Sequence, residues 1–149
     1  MQTTGEITKA IIKGIRESLP QARATKDYFK APTKIGTLNN LWTYIKKTHK
    51  YSAEPNENQT VKTLARIYAD RNRGNDCKHF TTFITVYCLQ HKIPVMLRLV
   101  SFKHNDKTPT HIYPVAIVNG REIPVDAVIN NFGVNPPGVT YKKDIPLNY

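Results

Sequence analysis

Apolar residues recur at helical spacing through the first ninety positions and alternate with polar ones afterwards, which predicts helices followed by strands. Ile7, Ile11 and Ile15 fall at i, i+4, i+8, behind a possible capping box of Thr3 and Glu6, and Pro20 is expected to end that helix. Residues 20–36 read as a loop anchored by Tyr28 and Phe29. A second helix is expected from near Thr37, with Leu38, Leu41, Trp42 and Ile45 on one face. A polar connection from Tyr51 to Asn58 leads to Gln59, which precedes a helix carrying Val61, Leu64, Ala65 and Tyr68. The fourth helix follows Asp76, a good N-cap, with Phe80, Phe83, Ile84, Tyr87 and Cys88 on its buried face. Ile93-Pro94 stops it.

From there the period changes to two. Val95, Leu97 and Leu99 alternate with Met96, Arg98 and Val100, as in a strand. The polar stretch Ser101 to Thr110 leads into His111 and is expected to overhang whatever cleft His111 faces, a natural place for substrate selection. Two apolar runs then flank Asn119-Gly120, the strongest short hairpin signal. With those two residues as the loop, Val118 faces Arg121 and Tyr113 faces Asp126. His111 then shares a face with Asp126 as a diagonal neighbour, about 7–8 Å away at the backbone. Pro114 falls at a hydrogen-bonded position where it cannot donate, so a bulge or an edge strand is expected there. Asn130 to Gly138 and the residues beyond read as an extended tail with little regular structure. The fold class is α+β: helices first, then an antiparallel sheet of about three to five strands with the cysteine helix packed on it.

Cys77 lies in the first turn of that helix, where unpaired N–H groups and the positive end of the helix dipole favour a thiolate. Asp76 beside it works the other way. A small, buried, inert cysteine is the competing reading. His111, 34 positions later, and Asp126, 15 positions after that, tip the balance toward chemistry.

The segments Gly-Asn-Asp-Cys, Leu-Gln-His-Lys-Ile-Pro-Val-Met-Leu-Arg-Leu-Val, and Thr-His-Ile-Tyr-Pro-Val-Ala-Ile-Val-Asn-Gly-Arg-Glu-Ile-Pro-Val-Asp-Ala-Val together resemble the transglutaminase-like superfamily, whose core is related to papain-like cysteine peptidases. The resemblance covers roughly residues 37–130 and is strongest to short stand-alone members encoded by bacteriophages and prophages. It implies Cys77 as nucleophile, His111 as base and Asp126 as the group that orients the imidazole. It also implies Gln59, with Trp42 as a minor candidate, as oxyanion donors; a helix cap and a core residue are their plainer roles. Acyl transfer follows, in which His111 takes the thiol proton and later returns one to the leaving group, and the thioester passes to water or to an amine. Peptide or protein substrates and phage structural partners are implied. One departure is Ala127 after Asp126, where many members carry proline.

The 149 residues suit one domain, divided as an N-terminal helix and arm (1–36), a catalytic core (37–130) and a tail (131–149). No apolar run approaches 18 residues and no signal-peptide layout opens the chain, so a soluble protein of the host cytoplasm, or a virion component, is expected. Cys77 and Cys88 lie about 16 Å apart along one helix and cannot pair within it. No ligand spacing supports a metal, and no cofactor is implied. Twenty-two Lys and Arg against eleven Asp and Glu give +11, which the catalytic reading does not require. Either a solvated basic surface or sequence-independent contact with DNA accounts for it. The competing function classes are a non-catalytic virion or assembly protein on the same fold and a basic nucleic-acid-associated factor.

Overall fold

Eleven consecutive residues from Lys78 to Cys88 are buried, so the helix that carries them is enclosed on every side rather than along one stripe. This central helix is α4 (Cys77–Gln90), and the rest of the chain is wrapped around it. The computed structural model describes residues 4–53, 62–104 and 108–147. Before α4 come α1 (Thr4–Thr25), a 3-10 turn (Lys26–Tyr28), α2 (Lys34–Thr48) and α3 (Leu64–Ala69). After it come β1 (Val95–Ser101), β2 (His111–Val118), β3 (Arg121–Pro124) and β4 (Tyr141–Pro146). The strands form one antiparallel sheet of order β3-β2-β1-β4. The fold is therefore α+β, as the change of period implies.

The three predicted isoleucines hold α1 against α4: Ile11 and Ile15 are buried and Ile7 packs at the edge of the same core. Pro20 does not end this helix, which continues to Thr25. The lost backbone bond is outweighed by what the last turn gains. Ala22 is fully buried, Gln21 accepts from the Ala65 amide, and the Thr25 hydroxyl meets that of Tyr87 at 2.6 Å. Of the expected anchor pair, Phe29 is buried and Tyr28 is exposed. The α2 helix starts at Lys34, earlier than the apolar stripe suggests, because Thr33 caps it by accepting from the Gly36 amide. Thr3 lies outside the described residues.

The hairpin forms in the predicted register, with Val118 opposite Arg121 and Val115 opposite Pro124. Asn119 and Gly120 have φ of 53° and 75°, the positive pair that a two-residue turn of this hand requires. Pro114 produces neither a bulge nor an edge: β2 is an inner strand, paired without interruption to β1. Its carbonyl accepts from Val125, so its missing N–H points to the same side, where β3 has just ended at Pro124. The sheet thus loses one bond at the end of a ladder, where the loss is small.

Val95, Leu97, Leu99, Ile112, Ala116 and Val118 face α4, and a smaller cluster of Val100, Tyr113 and Val115 lies on the outer face. The expected irregular tail is corrected by β4, which pairs with β1 along its whole length. Arg98, 2% exposed, explains the pairing. Its guanidinium binds both oxygens of Asp144 on β4, at 2.7 and 3.0 Å, and also Glu122 on β3 and Asn135. Tyr113 donates to the same Asn135 oxygen.

Candidate active site

The entry to α4 is fixed before Cys77 is reached. Gly74 has φ of 129°, and a Cβ there would lie 2.4 Å from that of Ser52, so both conformation and space require glycine. Asn75 is fully buried and bonded on every side: its amide nitrogen reaches the Ile67 carbonyl at 2.9 Å, and its oxygen accepts from Lys62 at 2.9 Å. Its backbone pairs with Lys50 and Ser52, making a short parallel bridge between Tyr51 and Asn75. Asp76 then caps the helix, accepting from the Lys78 amide at 3.0 Å, while its own amide donates to Nδ1 of His79 at 3.0 Å. The carboxylate that threatened the thiolate is answered by the buried Lys78 ammonium, which is paired with it. Of the two cysteines, Cys77 is partly exposed and Cys88 is buried, with burial pushing the Cys88 thiol up to about 12.

His111 opens β2 opposite Val100 and sits between two functional side chains. Its Nε2 lies 2.6 Å from Oδ2 of Asp126, and Cys77 is near enough to act on its titration. With Nε2 facing the carboxylate, Nδ1 is the nitrogen left for the thiol. Burial alone would lower the His111 pKa; the bonds to Asp126 and Cys77 and the charges on both outweigh it and raise the value to about 10. His111 is therefore an imidazolium at neutral pH.

Asp126 is 2% exposed and held at three points. One carboxylate oxygen takes His111, the other accepts from the Val128 amide at 3.0 Å, and its backbone carbonyl accepts from the Trp42 indole at 3.0 Å. The structure thus brings Cys77, His111 and Asp126 together and makes Trp42 a support for Asp126. The Trp42 indole N–H is engaged by Asp126 rather than left free for an oxyanion. Gln59 lies outside the described residues.

Two aromatic residues at the site were not singled out in the sequence, although Phe102 belongs to the Ser101 to Thr110 stretch expected to overhang the cleft. The Tyr51 ring packs on Phe80, one turn along α4 from Cys77. Burial, then the nearby Cys77, Asp76 and Asp126, raise its pKa. The Phe102 ring lies 6.1 Å from that of His111, which in turn rests on Tyr113 at 5.6 Å. A separate cavity of about 720 Å³ opens among α1, α2, α3 and α4, lined by Tyr28, Tyr44, Tyr68, Phe83 and Tyr87. It contains none of the three site residues, so size alone does not locate the chemistry. Among the described residues no helix is long and apolar enough to cross a membrane.

The chain is similar to two solved structures. One is a proposed cysteine protease from Cytophaga hutchinsonii, 17% identical, with a TM-score of 0.64 over 91% of this chain and 46% of the other. Another is a proposed protease from Parabacteroides distasonis, 14% identical, with a TM-score of 0.62 over 79% of this chain and 26% of the other. The chain spans less than half the length of either, and at these identities what is shared is the fold. No family model and no curated protein matches it.

Proposed function

We propose that this protein is a cysteine-dependent acyl-transfer enzyme of the transglutaminase-like type, a peptidase or amidase acting on a protein or peptide. The observation that carries the reading is the continuous Cys77, His111, Asp126 contact, with the imidazole held between a thiol and a buried carboxylate. The Cys77 sulfur attacks the carbonyl carbon of an amide or ester while backbone N–H groups at the start of α4 receive the developing oxyanion. His111 gives its proton to the departing amine or alcohol, and a thioester remains. Water or a second amine then attacks the thioester, His111 takes the proton, and the sulfur leaves as thiolate. Asp126 keeps Nδ1 aimed at the sulfur throughout. The likeness of residues 37–130 to stand-alone phage and prophage members supports an origin of that kind.

The test offers both acceptors at once. The purified protein is incubated with a protein substrate mixture and a fluorescent primary amine, then analysed by mass spectrometry for new peptide ends, deamidated side chains and amine adducts. New ends or acids mean hydrolysis; adducts mean transamidation. Cys77→Ala abolishes either outcome. Product formation that survives in Cys77→Ala would sink the proposal.

A further inference from the structure

Six large apolar side chains are exposed among the described residues. Tyr28 and Tyr68 line the cavity remote from Cys77, and Ile35 and Val134 stand on α2 and in the loop before β4. The other two are Tyr51, 47% exposed, and Phe102, 40% exposed, and both are at the reacting pair. The backbone at or beside each ring is held by hydrogen bonds. Tyr51 is bridged to Asn75, two residues ahead of Cys77, and its ring rests on Phe80. Phe102 directly follows Ser101, the last residue of β1, whose carbonyl accepts from the Thr140 amide. Its ring lies beside that of His111 at an interplanar angle of 35°.

An exposed ring leaves apolar surface in water, and covering it with a partner is favourable. One such ring beside Cys77 and another beside His111 border the position a scissile carbonyl must occupy. We infer that Tyr51 and Phe102 form the walls of a substrate subsite that takes a large apolar side chain next to the scissile carbonyl. This inference rests on the cysteine acyl-transfer reading and names its substrate class: a peptide with phenylalanine, leucine or a similar residue at the acyl position. Neither wall carries a charge, so an acidic residue at that position would lose its hydration with no cation from these rings to replace it.

The test measures how fast Cys77 is alkylated by N-blocked phenylalanyl, glycyl and aspartyl chloromethyl ketones, each rate divided by that for iodoacetamide in the same variant. The phenylalanyl reagent is expected to exceed the other two by about tenfold or more, the scale of one good apolar contact. Tyr51→Ala combined with Phe102→Ala should reduce that preference to less than about threefold, while Tyr51→Phe should keep it because the ring and not the hydroxyl is the wall. Equal rates for the three reagents in the native protein, or a preference that persists in the double variant, overturn the subsite. Failure of iodoacetamide itself to label Cys77 overturns the parent reading and the subsite together. Both side chains are exposed, so the variants should fold.

Discussion

The indole N–H of Trp42 donates to the backbone carbonyl of Asp126 at 3.0 Å, tying α2 to the residue that orients the histidine. Trp42→Phe keeps a ring against Phe132 but leaves a carbonyl of a buried residue without its donor, at a cost of about 1–3 kcal/mol. Loss of catalysis should exceed what instability explains, because a shift of Asp126 is passed to the imidazole. The expected fall in kcat is about tenfold to a hundredfold with KM nearly constant. An unchanged kcat would make Trp42 a core residue only.

The imidazolium of His111 predicts an alkaline loss of stability. Its pKa of about 10 in the folded protein lies above the ordinary 6.5, so its contribution is complete below pH 6.5 and is lost as pH rises toward 10. The Tm difference between the native protein and His111→Gln should therefore be largest near pH 6 and narrow steadily up to pH about 10. A difference that widens on the alkaline side would contradict an imidazolium at this position.

His49 predicts the reverse on the acid side. It is buried, its Nε2 has no hydrogen-bond partner among the described residues, and burial, helped by Arg71, pulls its pKa down to about 4. Its contribution is present above the ordinary 6.5 and is lost as pH falls through about 4, because the unfolded chain takes up the proton first. His49→Phe should flatten the fall in Tm between pH 7 and pH about 4. The same acid slope in both proteins would assign the loss to other groups.

Cys77→Ala and Phe83→Ala separate chemistry from packing. Cys77 is partly exposed at a helix start, so its replacement should leave Tm within a few degrees while removing activity. Phe83 is 2% exposed and touches the rings of Phe29, Tyr44 and Tyr87, so its truncation should cost about 3–5 kcal/mol. Urea denaturation checks both.

The charge of +11 predicts weak contact with duplex DNA. Binding followed by fluorescence anisotropy should be indifferent to sequence and fall steeply between about 50 and 200 mM salt. No binding at the lower salt would leave a solvated basic surface.

The nearness of Cys77, His111 and Asp126 was legible because each sits where a short-range rule places it: Cys77 after an N-cap, His111 and Asp126 through the register of a two-residue hairpin. Trp42 packs against the core as its apolar stripe implies, but its bond to the Asp126 carbonyl was not legible, since that carbonyl is 84 residues away and no local pattern encodes it. Tyr51 read as part of a polar connection because its bridge to Asn75 spans two irregular segments. Strand β4 left no signal for a different reason. Lys142, Lys143 and Asp144 are all exposed on an edge, so the alternation that marks a half-buried strand is absent there. Its pairing depends on Asp144 meeting Arg98, a contact between residues 46 positions apart.

That contact also sets an order of assembly during synthesis. Arg98 is made long before Asp144, and until Tyr141–Pro146 leaves the ribosome β1 has one uncovered edge and its guanidinium lacks two of its four acceptor bonds. The Cys77 helix and the His111 strand can meet without β4, since among the described residues it pairs only with β1 and carries none of the site residues. A chain truncated before Tyr141 should therefore be cut by added protease more readily than one that includes β4, because the β1 edge and the Arg98 guanidinium are then left uncovered.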